Sequence, residues 1–277
     1  MQSRLRVLGS SGGFPVLGLP CSGYRFTGGG QDILLDCGPG IAGALFADIE
    51  TCPLDCVIIS HMHPDHVLDL VPLGYGLMTE WICNGRTKPL RLRVPTGGRE
   101  FLKQFSDLFG HRNWRFGNEA RGAGHAALRD TLAGGGDWFL TVFDIEEYEP
   151  GDSWTEGGIA ISTARASHSI PTAVIRLDVD GQSVAYTGDT RWRGELAALA
   201  ADATLLLADA HLSSDNSPGG AHMSPREAGR LARLAGVETL VLCHLGSPRD
   251  ADIALSDAAL EFAGPIRLAM RDREFFL

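Results

Sequence analysis

Residues 60–66 read Ser-His-Met-His-Pro-Asp-His, which puts His61, His63, Asp65 and His66 within six positions. Imidazole nitrogens and carboxylate oxygens are the donors that hold borderline divalent ions. Three histidines and an aspartate converge when a loop at the end of a strand brings alternate side chains to one point. The apolar run at 57–60 supplies such a strand. Three further residues of these types stand behind strand-like runs: His168 in Ser167-His168-Ser169-Ile170-Pro171, Asp189 in Thr187-Gly188-Asp189-Thr190, and His244 in Leu242-Cys243-His244-Leu245. Taken singly each is also an ordinary polar residue at a strand end, and Gly-Asp-Thr is common turn chemistry. Taken together the seven form a thiolate-free donor set that suits zinc and can also hold manganese or iron.

The elements that must position these residues follow from the hydrophobic pattern. Short apolar runs at 5–8, 24–26 and 33–36, separated by glycine-rich turns at 9–13, 28–30 and 38–40, predict an antiparallel meander. A strand at 57–60 leads into the histidine cluster, a helix is expected over 67–80, a strand over 90–94 and a helix over 99–109. Residues 110–136 are rich in Gly, Arg and Asn and read as a surface insertion, either a solvated loop or a substrate-contacting patch built on Arg112, Arg115, Arg121 and Arg129 with Trp114 and Phe116. Strands are predicted at 138–145, 159–166, 173–179 and 183–187, the last two joined by an Asp180-Gly181 hairpin turn. A helix at 195–200, a strand at 204–208, a helix opened by Ser224-Pro225 with Glu227 in a capping box, a strand at 237–243, a helix at 252–262 and a strand at 266–269 complete the pattern. Two successive runs of strands followed by helices predict an α/β (α+β) chain with two sheets face to face and helices outside, in one domain over 1–277.

Composition narrows the function. With 277 residues and 44% hydrophobic side chains the chain can bury a full core. Against 34 acidic side chains stand 24 basic ones, a net charge of -10, and the only lysines are Lys88 and Lys103. No broad nucleic-acid surface is expected, because Lys and Arg supply most affinity for phosphate backbones. An anionic substrate then needs positive charge supplied locally by a metal. No run approaches 18 apolar residues, so no membrane span is expected, and the chain reads as soluble and cytoplasmic. Six cysteines without CxxC spacing point to reduced thiols. The Gly-rich loop at 9–13 lacks both the Rossmann and the Walker pattern, so no nucleotide cofactor is expected there.

The 60–66 cluster, followed in order by His168, Asp189 and His244, resembles the signature of the metallo-beta-lactamase superfamily of dinuclear metallohydrolases, over nearly the whole chain. That resemblance implies a four-layer αββα sandwich of two mixed sheets, with two divalent metal ions at one edge. His61, His63 and His168 would hold one ion, Asp65, His66 and His244 the other, and Asp189 would bridge. The ions would share the attacking hydroxide, which Asp65 would orient. Residues 8–15, 22–24 and 35–38 look like the ribonuclease Z and cyclic-nucleotide phosphodiesterase branch. So does His222 in Ala221-His222-Met223-Ser224-Pro225, which the resemblance makes the proton donor to the leaving oxygen; the other reading of His222 is an exposed neighbour of a helix N-cap. Its acidic partner would be Asp209, where the branch carries glutamate; the shorter side chain leaves a looser dyad, or a role shared with His211.

The resemblance implies a dinuclear phosphodiesterase acting on a small or short phosphodiester such as a cyclic nucleotide. Two alternatives stand beside it: a tRNA 3'-end endonuclease, and a lactonase, thioesterase or arylsulfatase-like ester hydrolase on the same metals. Against the tRNA reading, a plain hairpin fills the segment between His168 and Asp189, where short bacterial ribonuclease Z carries its tRNA-binding arm. A homodimer would match the branch, although no residue decides it.

Overall fold

The computed structural model describes residues 2–47, 49–84, 86–109, 138–213, 220–246 and 251–277; the insertion expected at 110–136 lies outside them. Among the described residues two sheets form. The first contains β1 (Arg4–Gly9), β2 (Gly23–Gly28), β3 (Gln31–Leu35), β4 (Cys56–Ile58), β5 (Leu90–Pro95), β6 (Phe143–Tyr148) and β14 (Glu274–Phe276), in the order β14-β1-β2-β3-β4-β5-β6. The second contains β7 (Ser153–Glu156), β8 (Ile159–Arg165), β9 (Ala173–Val179), β10 (Gln182–Tyr186), β11 (Leu205–Asp209), β12 (Thr239–Cys243) and β13 (Ile266–Leu268), in the order β13-β12-β11-β10-β9-β8-β7. Both sheets are mixed. Pairing is antiparallel from β14 through β3 and parallel from β3 to β6; in the second it is antiparallel from β7 through β10 and parallel from β10 to β13.

Period-two alternation sorts the strand residues into layers. Leu5, Val7, Ile33, Leu35 and Ile58 from the first sheet meet Ile175, Val184, Tyr186, Leu207 and Val241 from the second in the core between them. Leu34, Val57, Ile59 and Leu92 face the other way, under α1 (Ile41–Leu45), α3 (Leu70–Cys83), α4 (Gly98–Phe109) and α5 (Trp138–Val142). Leu206, Leu240 and Leu242 lie under α6 (Pro225–Ala235) and α7 (Ala251–Ala259). The layers are therefore helix, sheet, sheet, helix, the architecture expected from the strand and helix runs. No helix among the described residues is long and apolar enough to cross a membrane.

Several elements differ from expectation. The run at 138–145 splits into α5 and the start of β6, because a short, mostly apolar run fits either period. Its helical half buries Phe139 and Val142, and Phe139 meets Phe143 one turn on at 5.0 Å between ring centres. The expected helix at 195–200 is a 3-10 turn, Gly194–Ala198. The short edge strands β7 and β14 carry too little alternation to stand out. In each sheet the direction of pairing switches at β3 and β10, and open sheets bind ligands beyond the carboxyl ends of strands at such points.

Candidate metal centre

β4 delivers the first cluster. Ser60 and His61 are fully buried behind it, and His63 is the N-cap of α2 (Pro64–Val67), with Pro64 preset for the first helical position. Asp65 and His66 fall in that single turn, both buried. The turn sits directly on the loop after β3: the Cys37 N–H donates to the His66 carbonyl at 2.7 Å, and a β-carbon at Gly38 would collide with the Asp65 carbonyl oxygen. Only glycine permits that approach.

The other residues arrive from the second sheet. His168, beyond β8, has Nε2 3.0 Å from His63 Nδ1, which is itself 3.1 Å from His61 Nε2. Asp189, beyond β10, has Oδ2 3.6 Å from His61 Nε2 and 3.4 Å from His244 Nε2, and Oδ1 3.3 Å from His66 Nε2. His244, beyond β12, has Nε2 3.1 Å from Asp65 Oδ2. Three overlapping groups result: His61, His63, His168 and Asp189; Asp65, His66, Asp189 and His244; and Asp189, Asp209, His222 and His244. Within each group one donor atom per residue lies within 4.8 Å of all the others, and Asp189 belongs to every group.

The donors suit a divalent metal. Burial pushes His61, His63 and His168 below the ordinary histidine range, so these imidazoles are neutral and keep lone pairs to offer. On the other side carboxylates dominate. Although burial opposes the charge, His244 is pushed up to about 10 by Asp189, Asp209 and Asp65, and His66 is raised by Asp189 and Asp36. His66 and His244 in turn hold Asp65 and Asp189 well below the usual carboxylate range, again against burial. Such a field favours positive charge. His66 Nε2 and Asp189 Oδ1, 3.3 Å apart, are buried with no other hydrogen-bond partner among the described residues, an arrangement that a cation or water would satisfy. Histidine and carboxylate donors without a thiolate fit zinc.

A second ring of contacts aims these ligands, and one member of it was not anticipated. Asp36, in the left-handed region at φ 59°, is fully buried; its Oδ2 accepts from His66 Nδ1, Ser60 Oγ and Tyr186 Oη, each at 2.7 Å, and its Oδ1 accepts from the Ser60 N–H at 2.6 Å. His66 is thereby fixed with Nε2 facing the cluster. In the sequence Asp36 stands in the 35–38 segment that resembles the branch, but with no role of its own, since an aspartate between a buried strand and Gly38 looks like turn chemistry. His168 is aimed in the same way, by donation from Nδ1 to the Ala221 carbonyl at 2.9 Å.

His222 stands at the rim of the cluster, its side chain 18% exposed, with Nδ1 2.9 Å from Asp209 Oδ2 and 3.8 Å from Asp189 Oδ2. Asp209, at the end of β11, is fully buried and also accepts from the Thr190 N–H (3.1 Å) and the His211 N–H (3.1 Å). The shorter aspartate therefore does reach His222. The His211 ring lies 4.6 Å from that of His222 and 5.2 Å from that of His244, and a β-carbon at Gly12 would come within 2.6 Å of its Nδ1.

A profile of the Beta-lactamase superfamily domain matches residues 119–245, a span that holds His168, Asp189, His222 and His244. Ribonuclease Z of Mycobacterium marinum is 32% identical over 264 residues, covering 87% of this chain and 86% of that protein. The probable metallo-hydrolase YhfI of Bacillus subtilis is 27% identical over 270 residues, 96% of both chains. Its crystal structure superposes with a TM-score of 0.81 at 24% identity, over 99% of each chain. With this fold, these relatives and these clustered donors, the chain belongs to the metallo-beta-lactamase superfamily, as a metal-dependent hydrolase of its ribonuclease Z-like branch.

Proposed function

We propose that the chain is a dinuclear metal-dependent phosphodiesterase acting on a small or short phosphodiester. His61, His63 and His168 would hold one divalent ion, Asp65, His66 and His244 a second, and Asp189 both; the donor set favours zinc. When bound, such ions lower the pKa of water and neutralise the charge that builds at phosphorus. Asp65, whose Oδ2 is fixed by the Gly13 N–H at 2.8 Å, orients the attacking water. His222 gives the proton to the leaving oxygen. Its Nδ1–H donates to Asp209, so Nε2 is the atom that faces substrate, and the buried carboxylate fixes the ring's tautomer and orientation.

The observation that carries this reading is the 2.9 Å His222–Asp209 pair at the edge of the cluster. An alkoxide leaving a phosphodiester needs a proton, whereas an activated thioester or lactone needs little help of that kind. The test varies the leaving group. His222→Ala is expected to lower kcat by about 10²–10⁴-fold on an alkyl phosphodiester, and by much less on bis(p-nitrophenyl) phosphate, whose p-nitrophenolate leaves unaided. Equal losses on both would count against proton donation. The similarity to ribonuclease Z supports a second reading, cleavage at tRNA 3' ends. Against it stand the net charge of -10 and the plain β9–β10 hairpin between His168 and Asp189, in register Val179 to Gln182. Incubation with a precursor tRNA separates the two readings.

A further inference from the structure

Next to the His222 edge of the cluster lies a cavity of about 340 Å³, walled by His211, Leu212, Leu245, Ile253, Ala254 and Asp257 among others. It opens between the strand ends of β11 and β12 and the first turns of α6 and α7. Its size is that of a small-molecule site, at the lower end of the usual range.

His211 is the wall that the cavity shares with the catalytic edge. The backbone N–H of His211 donates to Asp209, the carboxylate that also holds His222. The side chain donates from Nδ1 to the His244 carbonyl at 3.2 Å, which leaves Nε2 as the acceptor of the ring. The remaining lining is mostly aliphatic, and among its described residues there is no lysine or arginine and one carboxylate, Asp257. The described lining offers a second phosphate no countercharge. An uncharged aromatic body would find an imidazole face, aliphatic walls and acceptors for its N–H or O–H groups. Ile253, 62% exposed, is the apolar side chain such a body would cover.

Position then decides which part of a substrate enters. The proton donor contacts the leaving oxygen, so the group attached to that oxygen lies on the His222 and His211 side. We propose that this cavity is the leaving-group subsite, that it selects phosphodiesters whose leaving alcohol carries an uncharged aromatic or heteroaromatic body, and that His211 is its specificity-determining residue. This rests on the phosphodiesterase reading above.

The test compares bis(p-nitrophenyl) phosphate with methyl p-nitrophenyl phosphate, which share a leaving group and differ in the group retained. On the metal-loaded protein, Ile253→Asp and His211→Ala are each expected to raise KM about tenfold for both diesters, the effect of losing one apolar contact in a pocket. His211→Gln, which keeps an acceptor, recovers part of the loss. As a readout independent of turnover, 4-nitrophenol titrated into the metal-loaded wild type shifts the Ile253 δ-methyl resonance. A rise in KM confined to the bis-aryl diester would assign the cavity to the retained group and overturn the proposal. Unchanged KM for both diesters, or no methyl shift, would overturn it as well. Wild-type protein that turns over neither diester would sink the phosphodiesterase reading itself and this proposal with it, an outcome distinct from normal turnover with unaltered KM in the variants.

Discussion

On one side of Asp189 stand His61, His63 and His168, three imidazoles kept neutral by burial; on the other, Asp65, His66, Asp209, His222 and His244 form an alternating set of carboxylates and histidines. The first side offers lone pairs and little else. The second also carries the partnered His222 and the cavity beside it, so the alternating charges and the open space lie on the same side. On the function proposed above, the difference would be a division of labour: one half would anchor an ion, while the other would hold an ion, move a proton and read the leaving group.

The largest effect is expected where the halves join. Asp189→Asn keeps the shape but removes the shared negative charge, and should bring metal content from two ions per chain towards one and phosphodiester turnover to background. Retention of two ions would show that the halves are independent. Next comes the catalytic edge alone: Asp209→Asn should lower kcat about 100-fold with metal content unchanged, and Asp209→Glu should retain most of it. A fall in metal content would instead make Asp209 a ligand. Asp36→Asn tests the support behind His66. Metal affinity, read by competition with a chelator, should weaken about 10–100-fold, while the imidazole-rich side keeps its ion.

These residues differ in how far the sequence announces them. His61, His63, Asp65 and His66 are conspicuous because one strand end and one helical turn carry all four. His168, Asp189 and His244 are single residues at separate strand ends, and it was their order within the family pattern that gave them meaning. Asp36 lies in the 35–38 segment that resembles the branch, but its role is not legible there, since it depends on Ser60, His66 and Tyr186 meeting it across the fold, up to 150 positions away. The same distinction holds for the fold. The parallel strands with strongly apolar runs were readable. β14 was not, because three residues at the C-terminus owe their extended state to pairing with β1 some 270 positions earlier. α5 was misread because Trp-Phe-Leu-Thr-Val-Phe fits either period until α3 and α4 cover one face of it.

The smallest effect lies outside both halves and serves as a control. Ser224 caps α6, accepting from the Glu227 N–H at 3.1 Å while the Glu227 carboxylate accepts from the Ser224 N–H at 3.0 Å. Ser224→Ala should cost about 1 kcal/mol in urea unfolding and leave metal content as it was. A lost ion would mean that the cap and the His222 edge are coupled.

The most direct test of a dinuclear phosphodiesterase is elemental analysis and bis(p-nitrophenyl) phosphate turnover measured on the same preparation. Two divalent ions per chain, with turnover that disappears on chelation and returns when the metal is restored, is the expected result. Two ions per chain with no turnover of any phosphodiester, but with hydrolysis of a thioester, lactone or sulfate ester, would contradict it.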